Sequence, residues 1–118
     1  MAAGIYNFTI EQGATFTRQF KYKTSEGVGI DLTNYAVRMQ VRKTIDSDTT
    51  ELDIDESSGL SVGTTSDTQH IITLTIPAST TANLSFDNAV YDLEIEISGE
   101  VTRLLQGKIK LSKEVTRG

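Results

Sequence analysis

The residues with the clearest chemical potential form an acidic run, DSDTTELDIDE, from Asp46 to Glu56. Carboxylate oxygens at short spacing are ligands that Ca²⁺ prefers, so a calcium loop is the first chemistry to consider. An EF-hand loop that begins at Asp46 needs glycine at its sixth position and glutamate at its twelfth, where this chain has Glu51 and Ser57. The EF-hand pattern therefore does not match. A looser cation site in this loop stays open, beside the interpretation that a solvated acidic loop protects a short edge strand from pairing.

Paired carboxylates and a single histidine are the other residues that could support catalysis. Glu94 and Glu96 could act as the two carboxylates of a glycoside hydrolase, yet residues two apart also share a face on any exposed strand. We expect Lys108 and Lys110 on the following strand to neutralise them across the sheet. His70 has no obvious acid or nucleophile partner and is interpreted as a polar strand residue. We therefore expect a non-enzymatic protein without catalytic residues, metal site or cofactor.

Length and composition exclude further classes of function. The chain has 118 residues, which fits one domain spanning residues 1–118, and it contains no cysteine, so thiol and disulfide chemistry drop out. Eleven Lys and Arg against 16 Asp and Glu give a net charge of -5, the wrong sign for binding nucleic acid or an anionic membrane. No apolar run is long enough for a signal peptide or a transmembrane helix, and we expect synthesis in the cytoplasm.

Alternating apolar and polar residues predict an all-β fold. The alternation is clearest in YAVRMQVRK, from Tyr35 to Lys43, and in VYDLEIEIS, from Val90 to Ser98. Turn-rich segments separate about seven to nine short strands, a spacing typical of a single antiparallel β-sandwich of the immunoglobulin-like type. One helical turn is expected between Pro77 and Phe86. The other expected strands are Ile5–Ile10, Ala14–Lys23, Glu51–Ile54, Leu60–Val62, His70–Ile76 and Glu114–Arg117.

The last two long strands are expected to form a hairpin around a three-residue turn, Ser98 to Glu100. The register that keeps apolar residues on one face pairs Ile97 with Val101, Leu93 with Leu105 and Tyr91 with Gly107.

Two arginines fall on the buried side of their strands in this reading. They are Arg103, in the expected hairpin, and Arg18, between Phe16 and Phe20. Because a buried unpaired arginine is costly, we expect each to lie at a sheet rim or to pair with a carboxylate.

The segment DNAVYDL, from Asp87 to Leu93, resembles the D-x-A-x-Y-x-C entry to strand F of immunoglobulin domains, with Leu93 in place of the cysteine. The resemblance implies a tyrosine corner, in which the Tyr91 hydroxyl returns to backbone between Pro77 and Phe86. A buried tyrosine on any antiparallel strand is the alternative interpretation.

Taken whole, the order of strands and turns resembles a family of small proteins encoded among the structural genes of tailed bacteriophages and prophages. The blocks that carry the resemblance are DLTNYAVRMQVR, from Asp31 to Arg42, and the ending from Tyr91 to Arg117. The resemblance implies a virion structural or adaptor protein, made and assembled in the host bacterial cytoplasm. Its implied partners are other virion proteins and symmetric copies of itself, with no nucleic acid and no membrane.

Three roles stay open within that reading. The first is a tail or baseplate component that joins fibres or other tail proteins to the particle. The second is a capsid decoration protein, and the third is a carbohydrate- or receptor-binding module at the virion tip, for which only Tyr6 or Tyr35 is expected to be free. Each terminal segment, Ile5–Ile10 and Lys113–Arg117, either completes a neighbour's sheet by strand addition or pairs within its own domain.

Overall fold

The structure, a computed structural model, describes residues 3–116. Over that range the chain forms two β-sheets and one short helix, so the all-β prediction is confirmed. The helix starts after Pro77, within the segment that was expected to hold a helical turn. The elements are β1 (Gly4–Ile5), β2 (Phe8–Glu11), β3 (Phe16–Lys21), β4 (Ala36–Arg42), β5 (Leu52–Asp55), β6 (Leu60–Val62), β7 (Ile71–Ile76), α1 (Ala78–Thr81), β8 (Asn88–Ile97) and β9 (Glu100–Ser112).

The larger sheet has the order β1–β9–β8–β4–β5, and β2 continues alongside β9 after β1. Both N-terminal strands run parallel to β9, whereas the other pairings in this sheet are antiparallel. The smaller sheet has the antiparallel order β3–β7–β6. The apolar N-terminal segment thus pairs within its own chain, and the strand expected over Ile5–Ile10 is interrupted at Tyr6 and Asn7.

Side chains from the buried faces of both sheets form one hydrophobic cluster. On β4 the alternation predicted from sequence holds, because Val37, Met39 and Val41 are buried while Arg38 is exposed. The three buried residues of β4 face Ile95, Leu93 and Tyr91 of β8, which are also buried. Burying an aliphatic side chain of this size contributes about 1.5–3 kcal/mol, so this row is a main source of stability for the larger sheet.

The β8–β9 hairpin corrects the predicted turn. Ile97 faces Glu100, not Val101, and the turn has two residues, Ser98 (φ 51°) and Gly99 (φ 83°). Positive φ at both positions is typical of a type I′ turn, whose twist matches that of the strands it joins. The register shifts by one at Leu104, which has no partner on β8, and beyond it Leu93 faces Leu105 as predicted. A β-bulge at Leu104 therefore restores the predicted phase.

The hairpin also corrects two further expectations, the buried position of Arg103, which the bulge changes, and the neutralisation of Glu94 and Glu96 by lysines. Arg103 is on the solvent side opposite Glu94, not on the buried side. Lys108 faces Val90 and Lys110 faces Asn88, so neither lysine lies across from a glutamate.

The prediction of a strand over Glu114–Arg117 is also wrong for the residues that the structure describes. β9 ends at Ser112, and residues 113–116 form no strand. Arg117, the last residue of that expected strand, lies outside the described residues.

Candidate interaction surfaces

The N-terminal segment is anchored where β1 gives way to β2. The backbone carbonyl of Tyr6 accepts a 2.6 Å hydrogen bond from the Tyr91 hydroxyl, and Asn7 Oδ1 accepts a 2.8 Å hydrogen bond from the backbone N–H of Lys108. Gly107 lies between these two contacts, and a Cβ there would overlap the Tyr6 carbonyl oxygen. The absence of a side chain at Gly107 thus allows the first strand to approach β9.

Tyr91 therefore differs from the tyrosine corner expected from the sequence. Its ring is buried, as expected, but its hydroxyl reaches the Tyr6 carbonyl and not the backbone between Pro77 and Phe86. Burial raises the pKa of Tyr91, and the neighbouring Tyr6 adds to the rise. The hydroxyl accordingly stays protonated and available as a donor.

Arg18 lies inside a group of aromatic rings on the same side of the molecule. Its guanidinium carbon is 5.0 Å from the ring centre of Phe16, 5.8 Å from that of Phe8 and 5.9 Å from that of Tyr6. It also donates a hydrogen bond to the Tyr6 hydroxyl. The rings belong to β2, to β3 and to the two-residue segment between β1 and β2, so Arg18 links the edges of the two sheets.

The two arginines meet the expectation in different ways. Arg103 has a carboxylate partner, with its Nε 3.5 Å from Asp92. Arg18 lies on β3, a border strand of the smaller sheet, so it is at a sheet rim. It forms no ion pair with any residue in the range 3–116, and the faces of aromatic rings take the place of a carboxylate. Sequence reasoning missed Tyr6 and Phe8 as partners because they come from the N-terminal segment, which pairs with β9 in the larger sheet.

Strand β3 presents an open edge beside Arg18. It is a terminal strand of its sheet, and the backbone N–H of Tyr22 bonds to the carbonyl of His70 on the β7 side. Since alternate residues of an antiparallel strand point their backbone groups to opposite sides, those of Thr17, Gln19 and Lys21 point away from β7. This edge, called here the β3 edge, can accept another strand.

A cleft of about 570 Å³ runs between the β3 edge and β1. Its apolar lining includes Tyr6, Phe20 and Leu105, and its cationic side chains are Lys21, Lys23 and Arg103. Arg103 is already paired with Asp92, whereas neither lysine has an ion-pair partner among the described residues. The cleft side of the molecule is therefore basic, although the chain as a whole carries a net charge of -5.

Strand β5, at the border of the larger sheet, carries negative charge. It ends the larger sheet, and its outward residues, Asp53 and Asp55, are both exposed. Asp53 lies 3.8 Å from Arg38 Nε and accepts a hydrogen bond from Gln40, while hydrogen bonds from Ser57 lower the pKa of Asp55. This acidic strand with its flanking Glu51 and Glu56 is called here the β5 edge.

The acidic run Asp46–Glu56 does not converge on one point. Within residues 3–116, no three His, Cys, Asp or Glu side chains come close enough to hold a metal ion together. Glu56 accepts a 3.3 Å hydrogen bond from the Val37 N–H, and Asp53 and Asp55 have the separate partners given above. These carboxylates serve as turn acceptors and as charge along an edge strand.

The β3 edge and the β5 edge lie on opposite sides of the molecule. β2 lies against β3, since the rings of Phe8 and Phe16 are 5.2 Å apart. β2 and β5 border opposite sides of the larger sheet, just as β3 and β6 border opposite sides of the smaller one. The basic edge and the acidic edge therefore face away from each other.

The two glutamates that could support catalysis share the outer face of the larger sheet, whereas the histidine lies beside the smaller sheet. Glu94 lies between Arg38 and Arg103 on the outer face of the larger sheet, and Glu96 lies between Ala36 and Val101. His70 precedes β7 and lies so close to Gly29 that a Cβ there would be 2.8 Å from the imidazole Nδ1. The two glutamates therefore lie among strand neighbours on a sheet face, and His70 packs beside Gly29.

A shallow depression also lies on the outer face of the larger sheet. Its volume is about 470 Å³, and its rim includes Ile5 and Ile45, which are 76% and 82% exposed. Tyr6 and Tyr35, in contrast, are half-buried and pack against the core, so neither ring is free.

The sequence matches no protein-family model, and no curated protein matches it. In the part of the chain that the structure describes, no helix has the length and apolar character needed to cross a membrane.

Proposed function

We propose that the chain is a non-enzymatic structural protein of a tailed bacteriophage particle, in the tail or baseplate, where it joins fibres or other tail proteins to the particle. The observation that carries the proposal is the pair of border strands of opposite charge on opposite sides of the molecule. The β3 edge, with backbone groups that point away from β7, is a template for another strand, and an acidic border on the opposite side suits contact with a further component of an assembly.

An immunoglobulin-like sandwich is part of the proposal, and the strand order supports it. Immunoglobulin domains place strands C, F and G in one sheet and B, E and D in the other. In chain order β4, β8 and β9 correspond to C, F and G, while β3, β7 and β6 correspond to B, E and D. β5 then takes the place of C′, which variable-type domains add beside C. Folds of this kind serve as adaptors in the virion proteins that the sequence resembles.

The placement of the charged residues also supports an assembly role. Asp53, Asp92 and Asp87 form ion pairs with Arg38, Arg103 and Lys113 on the surface. These pairs hold turns and sheet faces in place, and surface pairs of this type contribute at most about 1 kcal/mol each. A scaffold needs such positioning, whereas catalysis needs groups that converge on a substrate.

The proposal is tested by counting copies of the chain per purified particle with quantitative mass spectrometry. A tail or baseplate component is expected at a small multiple of three or six copies. Hundreds of copies would assign the chain to capsid decoration, the alternative role. Absence from the particle would contradict both roles.

A further inference from the structure

We propose that the acidic β5 edge of one copy of the chain pairs with the basic β3 edge of the next, so that the protein assembles head to tail with itself. The inference names a partner for the edges described above, and it rests on the proposed function for its biological setting.

The β3 edge has the features of an acceptor. Its six residues from Phe16 to Lys21 are extended, and the backbone groups of Thr17, Gln19 and Lys21 point away from β7. Lys21 and Lys23 bring two exposed positive charges to the cleft that borders it. An incoming strand therefore gains backbone hydrogen bonds and meets positive charge along the same line.

The β5 edge has the complementary features. It is an extended four-residue strand, Leu52–Asp55, at the border of the larger sheet, and Glu51 and Glu56 flank it. The backbone N–H of Asp55 donates to Ser58 Oγ and its carbonyl accepts from the Ser58 N–H, so Asp53 is the residue of this strand that offers its outward backbone groups to an incoming strand. Its outward side chains, Asp53 and Asp55, alternate with buried Leu52 and Ile54, so a strand laid beside it meets carboxylates on the solvent face only. Opposite charges on facing strands stabilise pairing, which places Asp53 of one copy near Lys21 of the next.

Charge also decides the direction of association. Two β5 edges repel each other through their carboxylates, and two β3 edges repel each other through their lysines. The net charge of -5 makes most other approaches between copies unfavourable. A contact between different edges on opposite sides of the molecule is heterologous, so it produces a closed ring or an open chain of copies, not a two-fold dimer.

The experiment exchanges the charges of the two edges and follows association by sedimentation velocity over a concentration series. Wild type is expected to form larger species as concentration rises. Lys21→Glu alone, or Asp53→Lys alone, places like charges opposite each other and is expected to weaken association about tenfold or more. Lys110→Glu, on the outer face of the larger sheet, changes the charge by the same amount as Lys21→Glu away from both edges and is expected to leave association unchanged.

Two combinations separate edge pairing from general charge effects. In an equimolar mixture of Lys21→Glu and Asp53→Lys, every contact between the two variants regains opposite charges, so association is expected to return. The double variant Lys21→Glu/Asp53→Lys in one chain is expected to associate for the same reason. Gln19→Pro removes a backbone N–H that points outward and is expected to abolish association in all of these backgrounds. Circular dichroism verifies that each variant is folded.

A wild-type chain that stays monomeric at the highest concentration reached would overturn the inference, as would a mixture that fails to restore association. These outcomes are distinct from failure of the proposed function. If the chain is monomeric but present in particles, the self-assembly inference is wrong and the proposed function stands. If the chain associates with itself but is absent from particles, the inference stands and the proposed function is wrong.

Discussion

The Tyr91 hydroxyl donates a 2.6 Å hydrogen bond to the backbone carbonyl of Tyr6, and this bond joins β8 to the N-terminal segment across β9. The two groups meet because Gly107, which pairs with Tyr91 on β9, has no side chain to separate them. The N-terminal segment thus belongs to the larger sheet through three features: its parallel ladder with β9, this hydrogen bond and the Asn7 contact to Lys108.

Gly107→Ala is expected to destabilise the protein by about 3 kcal/mol, because the added Cβ would overlap the Tyr6 carbonyl oxygen and lie 2.8 Å from its carbonyl carbon. Backbone atoms cannot move aside as a flexible side chain can. Urea unfolding measures the free-energy change.

The matched control is Gly27→Ala. At Gly27 a Cβ meets nothing within 4 Å, but φ is +85°, so only the backbone conformation opposes the substitution. We expect a loss of about 1 kcal/mol there. Equal losses at the two positions would contradict the role given to the Gly107 contact.

The pKa of Tyr91, raised by burial, predicts an alkaline loss of stability. In the unfolded chain a tyrosine ionises near pH 10, whereas in the folded protein Tyr91 keeps its proton at higher pH. The unfolded state then binds fewer protons, so the contribution of Tyr91 is complete below about pH 10 and declines as the pH rises beyond it. Urea unfolding at several pH values from neutral to alkaline follows this decline.

Tyr91→Phe is the comparison for that experiment. We expect the variant to lose about 1 kcal/mol at neutral pH, where the Tyr6 carbonyl loses its donor, and to show a smaller alkaline decline than wild type. Identical pH dependence in both proteins would show that Tyr91 does not cause the decline.

Ser98 is expected to limit the stability of the β8–β9 turn. Its φ of 51° is one that most side chains disfavour, and asparagine tolerates it best after glycine. Ser98→Asn is therefore expected to raise the free energy of unfolding by about 0.5 kcal/mol, and Ser98→Val to lower it by about 1 kcal/mol. Equal stability of the two variants in thermal unfolding would contradict the positive φ at Ser98.

Arg18 is expected to contribute to stability through its contacts with the rings. Arg18→Ala removes the guanidinium from the faces of Phe8, Phe16 and Tyr6 and is expected to cost about 2 kcal/mol. Lys21→Ala, on the outward face of the same strand, is expected to change stability by no more than about 0.5 kcal/mol. Similar losses for both variants in urea unfolding would contradict the special position of Arg18.

How much of the fold the sequence predicts depends on how local the signal is. The sequence predicts strands β4 and β8 because apolar residues alternate with polar ones, and the alternation indicates which residues lie on the buried face of the sheet. The bulge was not recognised, although the adjacent Leu104 and Leu105 break the alternation at the point where the register shifts. That pair of leucines is the signal that could have located it.

Contacts between distant parts of the chain could not be predicted in the same way. Tyr6 and Tyr91 are 85 positions apart, so the partner of the hydroxyl depends on which strand lies beside β9. The same holds for the strands at the sheet borders, since alternation identifies the faces of a strand but not its neighbours. The acidic character of Asp46–Glu56 was evident from sequence, but its position on a sheet border, opposite the basic β3 edge, follows from the topology.

The most direct test of the account is amide hydrogen exchange at Thr17, Gln19 and Lys21, compared between dilute chain and the assembled state. If the β3 edge is open alone and paired in the assembly, these amides exchange fast in the dilute chain and become protected on assembly, while those of Phe16, Arg18 and Phe20 are protected in both. Unchanged fast exchange of Thr17, Gln19 and Lys21 in the assembled state would contradict the claim that this edge is an assembly surface.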